Sequence, residues 1–255
     1  MGQGTTPIAK SDNTGKRSKR RALVELGLAY VLILAVIWSP RPLQRLLWVV
    51  AVAAVGTITW RSWEGAKIVG LRRENFLRSV WVIGAALAIA AIADALAIYF
   101  HTLGLPIPPV TGPGSSDDLL GNAMLFVRTY WGYALWTFVQ QFLLQGFFLL
   151  RLLRVLPGPK SAALAAAGLF AIGHLPNPIL TVVTLIWGFA ACMIFVRYRN
   201  LYSLAIAHAI FGITIAVTVP GPVIRNMRVG LGYLTYGYRH RPPPSFQPQG
   251  PDRVH

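Results

Sequence analysis

Between residues 22 and 219 the chain is a succession of apolar runs joined by short polar links. Most of these runs reach the roughly 17 residues that a helix needs to cross the hydrocarbon core of a bilayer. In hydrocarbon a lone segment can satisfy all of its backbone N–H and C=O groups only by coiling into a helix. The fold class that follows is all-α, a polytopic transmembrane bundle of about seven or eight helices.

The breaks between runs are set by proline, glycine and charge. Spans are predicted over 22–38 and 43–60, with Pro40 and Pro42 ending the helix between them. A polar link over 61–78 carries Lys67, Arg72, Arg73 and Arg78, and by the positive-inside rule belongs on the cytoplasmic side. A third span is predicted over 80–100, followed by a Pro/Gly-rich loop without Lys or Arg over 101–121 on the outer side. The run over 123–150 is longer than one crossing needs. That over 161–174 is short for a crossing, and it is followed by spans over 179–196 and 201–219. An even number of crossings, with both ends cytoplasmic, reconciles the basic C-terminal tail with the charge rule, either because 161–174 does not cross fully or because 223–238 forms a further membrane-associated helix.

Flanking this membrane domain (22–219) are a basic N-terminal tail over 1–21, too polar to pack a core and predicted to be disordered, and a basic, Pro-rich tail over 220–255. The formal net charge of +16 would suggest nucleic acid in a soluble protein. Here the cations cluster beside apolar runs, notably Lys16, Arg17, Lys19, Arg20 and Arg21. They read as topology signals and contacts for membrane lipids, with no nucleic-acid partner. The run after that cluster lacks a small-residue cleavage site, so it is expected to stay as an uncleaved first span of a multi-pass protein, in the plasma (inner) membrane, with a cytoplasmic N-terminus. The single cysteine, Cys192, excludes an intrachain disulfide and reads as a packing residue.

Polar side chains inside these runs are the functional signal. Asp94 sits within the third span, and an intramembrane carboxylate defaults to a functional hypothesis, although it lies near enough to the span's end for a structural role. Gln140, Gln141 and Gln145 interrupt an apolar helix, with Gln141 and Gln145 four apart on one face and Gln140 about 100° away. Such amides often serve only to join helices. His174 and His208, on separate runs, add groups that can ligate a metal or move a proton.

The order of these pieces resembles the CAAX-protease and bacteriocin-processing (CPBP, or ABI) family of intramembrane metalloproteases. Gln140, Gln141, three residues, Gln145, Gly146 and Phe147 are similar to its EExxxR-G-F motif, and Phe170 with His174 to its FxxxH motif. His208 and Gly212 occupy the ends of its HxxxN motif, delivered by a helix pair containing Trp187 and Gly188. Val69 to Arg73 resembles a link often found before the third span. The most family-like part is 119–219. The resemblance implies a helix bundle with a cavity open toward the cytoplasmic leaflet, in which peptide bonds of membrane-delivered substrates, such as prenylated C-termini, are cut. In that family the glutamates and histidines hold or activate a water, with or without a metal, and the asparagine stabilises the oxyanion.

The sequence departs from that pattern at four positions: glutamine replaces both glutamates and the arginine, and Gly212 replaces the asparagine. Glutamine keeps an acceptor oxygen but cannot act as a base near pH 7. No Asp or Glu lies between Asp118 and Asp252, so Asp94 or a histidine must serve as base if one is present. Two readings follow. In one, His174 and His208 bind a water or a zinc ion, with Gln140 and Gln141 in the places of the glutamates and Gln141 orienting the water. In the other, a catalytically silent homologue binds a membrane peptide or lipidated partner in the same cavity. A plainer alternative is a structural membrane protein or small transporter in which the amides only join helices.

Overall fold

The computed structural model describes residues 9–62, 65–103 and 119–236, and every regular element among them is helical. Two long helices open the chain, α1 (Ala9–Trp38) and α2 (Arg41–Arg61). Two single turns, α3 (Ala66–Val69) and α4 (Phe76–Ser79), lead to α5 (Trp81–Tyr99). The next long helix begins as α6 (Leu119–Gln141), widens into a π-helical segment (Phe142–Leu149), and ends as α7 (Leu150–Val155). A short α8 (Pro159–Ile172) precedes α9 (Pro178–Tyr198) and α10 (Leu201–Thr218). Two further turns, α11 (Gly221–Ile224) and α12 (Gly230–Leu234), complete the described chain.

Six of these helical stretches are long and apolar enough to cross a membrane, and α8 is apolar but shorter. Large apolar side chains such as Val31, Val49, Ile92 and Ile186 lie exposed on the outer surface. That inverts the arrangement of a soluble domain and presents hydrocarbon to lipid. The chain is a multi-pass membrane helix bundle, as its apolar runs predict.

Two ends of the bundle are fixed by side-chain contacts. At one, Arg151 reaches Glu25 Oε2 on α1 at 3.0 Å and Ser62 Oγ at 2.9 Å, and its guanidinium stacks 3.5 Å above the Phe147 ring. Close by in sequence, Asn75 donates to the Tyr198 carbonyl at 2.8 Å and Asn200 to the Arg72 carbonyl, so the polar link docks on the α9–α10 turn. At the opposite end the Gly230 N–H donates to the Leu175 carbonyl at 2.7 Å, with Gly230 packed on Ile37.

α8 therefore runs from the Arg151 end to the Ile37 end, and the short run over 161–174 makes a full reversal. Its fourteen residues span about 21 Å at 1.5 Å each. Counting it, the described helices alternate an odd number of times, so residues 221–234 lie at the end opposite Glu25 and Arg151.

Helical structure also reaches beyond residues 22–219. Residues 9–21, expected to be disordered, continue α1 toward the N-terminus, with Arg21 paired to Glu25 one turn on at 2.7 Å. A helix already nucleated by an apolar span extends at little cost into neighbouring residues. Residues 220–236, expected to be tail, fold back onto the bundle. Asn177, which caps α9 by accepting from Leu180 N–H at 3.2 Å, donates to the Ile224 and Arg228 carbonyls at 2.9 and 3.2 Å. The remaining tail residues and most of the 101–121 loop fall outside the described residues.

The tightest packing joins α8 to α9. Ala162, Ala163, Ala166 and Ala167 are fully buried on α8, and a Cβ on Gly188 would sit 3.3 Å from that of Ala167. Small residues let membrane helices approach closely enough to gain dispersion energy where hydrophobicity offers none. Cys192 is buried in the same seam, as a packing residue should be. α10 is held from its other side by Thr137 Oγ1, which reaches the Ala205 carbonyl at 3.3 Å, and by Ser203 bonded to Ser79 at 2.9 Å.

Candidate active site

The α8–α9 seam delivers one half of the site. Phe170 and His174 are four apart on the last turn of α8 and the residues that follow it. The His174 ring stands edge-on to Phe170 with centroids 4.7 Å apart. His174 Nδ1 lies 2.7 Å from the Phe170 carbonyl, which can only accept. The Nδ1 proton is thereby fixed, and the Nε2 lone pair is left free.

α10 delivers the other half. His208 is nearly buried, with its ring 6.0 Å from Phe170 and 6.3 Å from Trp187. Phe170 thus touches both imidazoles. Behind His208, Gln141 Nε2 lies 2.9 Å from His208 Nδ1. With the amide nitrogen donating, Nδ1 is the acceptor and the ring proton sits on Nε2. The two imidazoles then present complementary groups: a lone pair on His174 and an N–H on His208.

Both histidines line a cavity of about 990 Å³ between the α1–α2 hairpin and the core of α6, α8, α9 and α10. Gln140 and Gly212 line it too, and so do Tyr133 and Trp187. The wall is mostly apolar, running along α2 from Arg41 to Trp60, with Met227 to Thr235 contributing at the Ile37 end.

The three glutamines separate. Gln140, half-buried, is the amide that reaches the cavity, whereas Gln141 is fully buried and spent on His208. The amide expected to orient a water is instead the one that holds an imidazole. Gln145 is fully buried and does not line the cavity; among the described residues neither of its amide atoms has a hydrogen-bond partner. Asp94 is not brought to the site: it lies on α5 and does not line the cavity, and among the described residues its buried Oδ1 has no hydrogen-bond partner.

A family model described as type II CAAX prenyl endopeptidase Rce1-like matches residues 43–214, more than half of the chain. The chain belongs to the Rce1-like CAAX endopeptidase family. It is an intramembrane protease-like homologue. No curated protein matches it, and no solved structure does. The match starts in α2, ahead of the motif-bearing segment, and α2 forms one wall of the cavity.

In this Rce1-like chain the donor set can be tested against a zinc ion. A catalytic zinc takes three protein ligands, usually from imidazole, carboxylate and thiolate. Among the described residues no group of three or more His, Cys, Asp or Glu is placed to hold one. Two imidazoles, one of them already engaged by an amide through Nδ1, do not make up that set.

Sequence reading missed Tyr133. It lies seven residues before Gln140, two helical turns away and therefore on the same stripe of α6. That spacing is the signal that could have found it.

Proposed function

We propose that this protein binds a membrane-delivered peptide, with a lipidated C-terminus as the class of occupant, in the cavity above His174 and His208. We assign it peptide hydrolysis without a metal, at a rate strongly reduced from that of a carboxylate-bearing site. The observation that carries this is the pairing of Gln141 with His208 at 2.9 Å. An amide holds the imidazole where a carboxylate would otherwise both hold it and accept a proton.

In this reading the free Nε2 of His174 is the base. It takes a proton from a water whose oxygen bonds to the peptide carbonyl carbon. The carbonyl electron pair moves to oxygen, where the Nε2–H of His208 can donate to it. Collapse of that oxyanion expels the amine, which recovers the proton from His174. Lacking a carboxylate base costs about 10² to 10⁴ in rate by general experience of acid–base catalysis.

The sidedness proposed is a cytoplasmic N-terminus in the plasma membrane. Supporting it, Lys16 to Arg21, Arg72, Arg73, Arg151 and Arg199 all belong to the bundle end marked by Glu25, as the positive-inside rule requires.

The second reading, a silent binder, is favoured by one observation: the site has an imidazole pair and an amide but, among the described residues, no carboxylate on the cavity wall. Purified protein in lipid nanodiscs, given a fluorogenic farnesylated peptide, separates the two. Slow cleavage that is lost in both His174→Ala and His208→Ala, with zinc content near zero, supports hydrolysis. Retained peptide binding with no cleavage above the His174→Ala background supports the binder and overturns the hydrolase.

A further inference from the structure

Position 212 has no side chain, and another residue occupies its space. A Cβ built on Gly212 would overlap the hydroxyl and ring of Tyr133, which crosses from α6 to lie against α10. Gly212 is one helical turn beyond His208, so the phenol is seated beside the imidazole and not elsewhere on the helix. Tyr133, Gly212, His208 and Gln140 line the same cavity. Among the described residues no hydrogen bond engages the Tyr133 hydroxyl. A buried tyrosine usually finds a partner for its O–H, and here the hydroxyl lies at a cavity wall without one.

We propose that Tyr133 is a hydrogen-bond donor of the site, its phenol O–H directed at the oxyanion of a bound peptide carbonyl from the space that Gly212 leaves open. The inference rests on the peptide-binding reading given above. Its chemistry is that of any preorganised donor aimed at developing negative charge: the O–H stays on tyrosine, no proton is transferred, and the interaction strengthens as the carbonyl oxygen becomes anionic. Glycine at 212 is then a requirement of the phenol's position, since any larger residue would displace the ring. A tyrosine that only filled space would not discriminate between a planar carbonyl and a tetrahedral anion.

The test compares two probes on purified full-length protein in nanodiscs: a farnesylated peptide and its phosphonate analogue, whose tetrahedral anionic centre mimics the oxyanion. The wild type should bind the phosphonate more tightly than the peptide. Tyr133→Phe should lower phosphonate affinity about 10-fold, leave peptide affinity unchanged, and lower kcat by about 10² with KM preserved, the size of effect seen for loss of one oxyanion donor. Tyr133→Ala should behave likewise. Adding Gly212→Asn to Tyr133→Ala should recover phosphonate affinity, whereas adding the similarly sized, apolar Gly212→Leu should not.

Equal phosphonate affinity in Tyr133→Phe and wild type overturns the inference, as does a wild type with no phosphonate preference. Rescue by leucine as well as asparagine reduces Tyr133 to a space-filling role and also overturns it. If the wild type cleaves nothing but keeps a Tyr133-dependent phosphonate preference, the hydrolysis reading fails and this one stands. If cleavage is intact in Tyr133→Phe, the reverse holds.

Discussion

Gln141 Nε2 lies 2.9 Å from His208 Nδ1, and both side chains are buried. The pair fixes the imidazole without charge. Removing the amide would leave a buried ring nitrogen with no partner, at a cost of about 1–3 kcal/mol. Gln141→Leu should therefore lower the thermal unfolding temperature in detergent, whereas Gln141→Glu keeps the contact and changes its chemistry. Combined with Gln140→Glu it adds two carboxylates to two imidazoles. That set satisfies a catalytic zinc, so the double variant should bind on the order of one zinc per chain, read by metal analysis of the purified protein.

Asp94 is the residue on which sequence and structure part most clearly. It is a carboxylate well inside a predicted span and invites a catalytic role, yet α5 carries it away from the cavity wall. Asp94→Asn should leave farnesylated-peptide cleavage within about 2-fold of wild type, while His174→Ala removes a general base and lowers it by at least about 10². A large loss of kcat in Asp94→Asn, measured on protein of unchanged stability, would return the aspartate to the site.

Arg151 joins three elements through Glu25, Ser62 and the Phe147 ring, and both members of the ion pair are largely buried. Truncating one partner of such a pair leaves the other as an uncompensated charge, which costs about 3–5 kcal/mol. Glu25→Ala should lower stability by an amount toward that range. The joint replacement Glu25→Leu with Arg151→Met should recover most of it, because both charges then leave together. Denaturation in mild detergent, followed by tryptophan fluorescence, checks both.

Much of the bundle is legible in the sequence because membrane helices declare themselves by length and hydropathy, and prolines such as Pro40 and Pro42 mark where they stop. The site is legible in part. His174 and His208 line one cavity on either side of Phe170, because helix period sets their faces and small residues such as Ala167 and Gly188 bring α8 and α9 together. What the sequence hid has two physical causes. The first is rotation: a wheel drawn from Gln140 cannot say which face meets the cavity, and the π-helical segment after Gln141 alters the register that would carry the pattern to Gln145. The second is absence. Gly212 carries no side chain to argue from, and the residue that fills its place, Tyr133, lies on another helix 79 positions earlier. Composition also gave no sign of where the C-terminal segment packs: hydrogen bonds from Asn177 hold the Ile224 and Arg228 carbonyls at the end of the bundle opposite Glu25.

Asn177 ties that fold-back to the start of α9. Its Oδ1 caps α9, and its Nδ2 serves two carbonyls of the returning chain. Asn177→Ala loses the cap, worth about 1 kcal/mol, and frees the Ile224 and Arg228 carbonyls from their donor. The long apolar α9 is held by its packing on α8 and should persist. The weaker attachment, over 220–236, should open first, as segments with few buried apolar contacts do. Hydrogen exchange should then quicken across 221–234 while α9 stays protected. Because Met227 to Thr235 line the cavity, the same variant should also weaken farnesylated-peptide binding. Unchanged exchange over 221–234 would show that Gly230 and its contact with Leu175 hold the segment without Asn177.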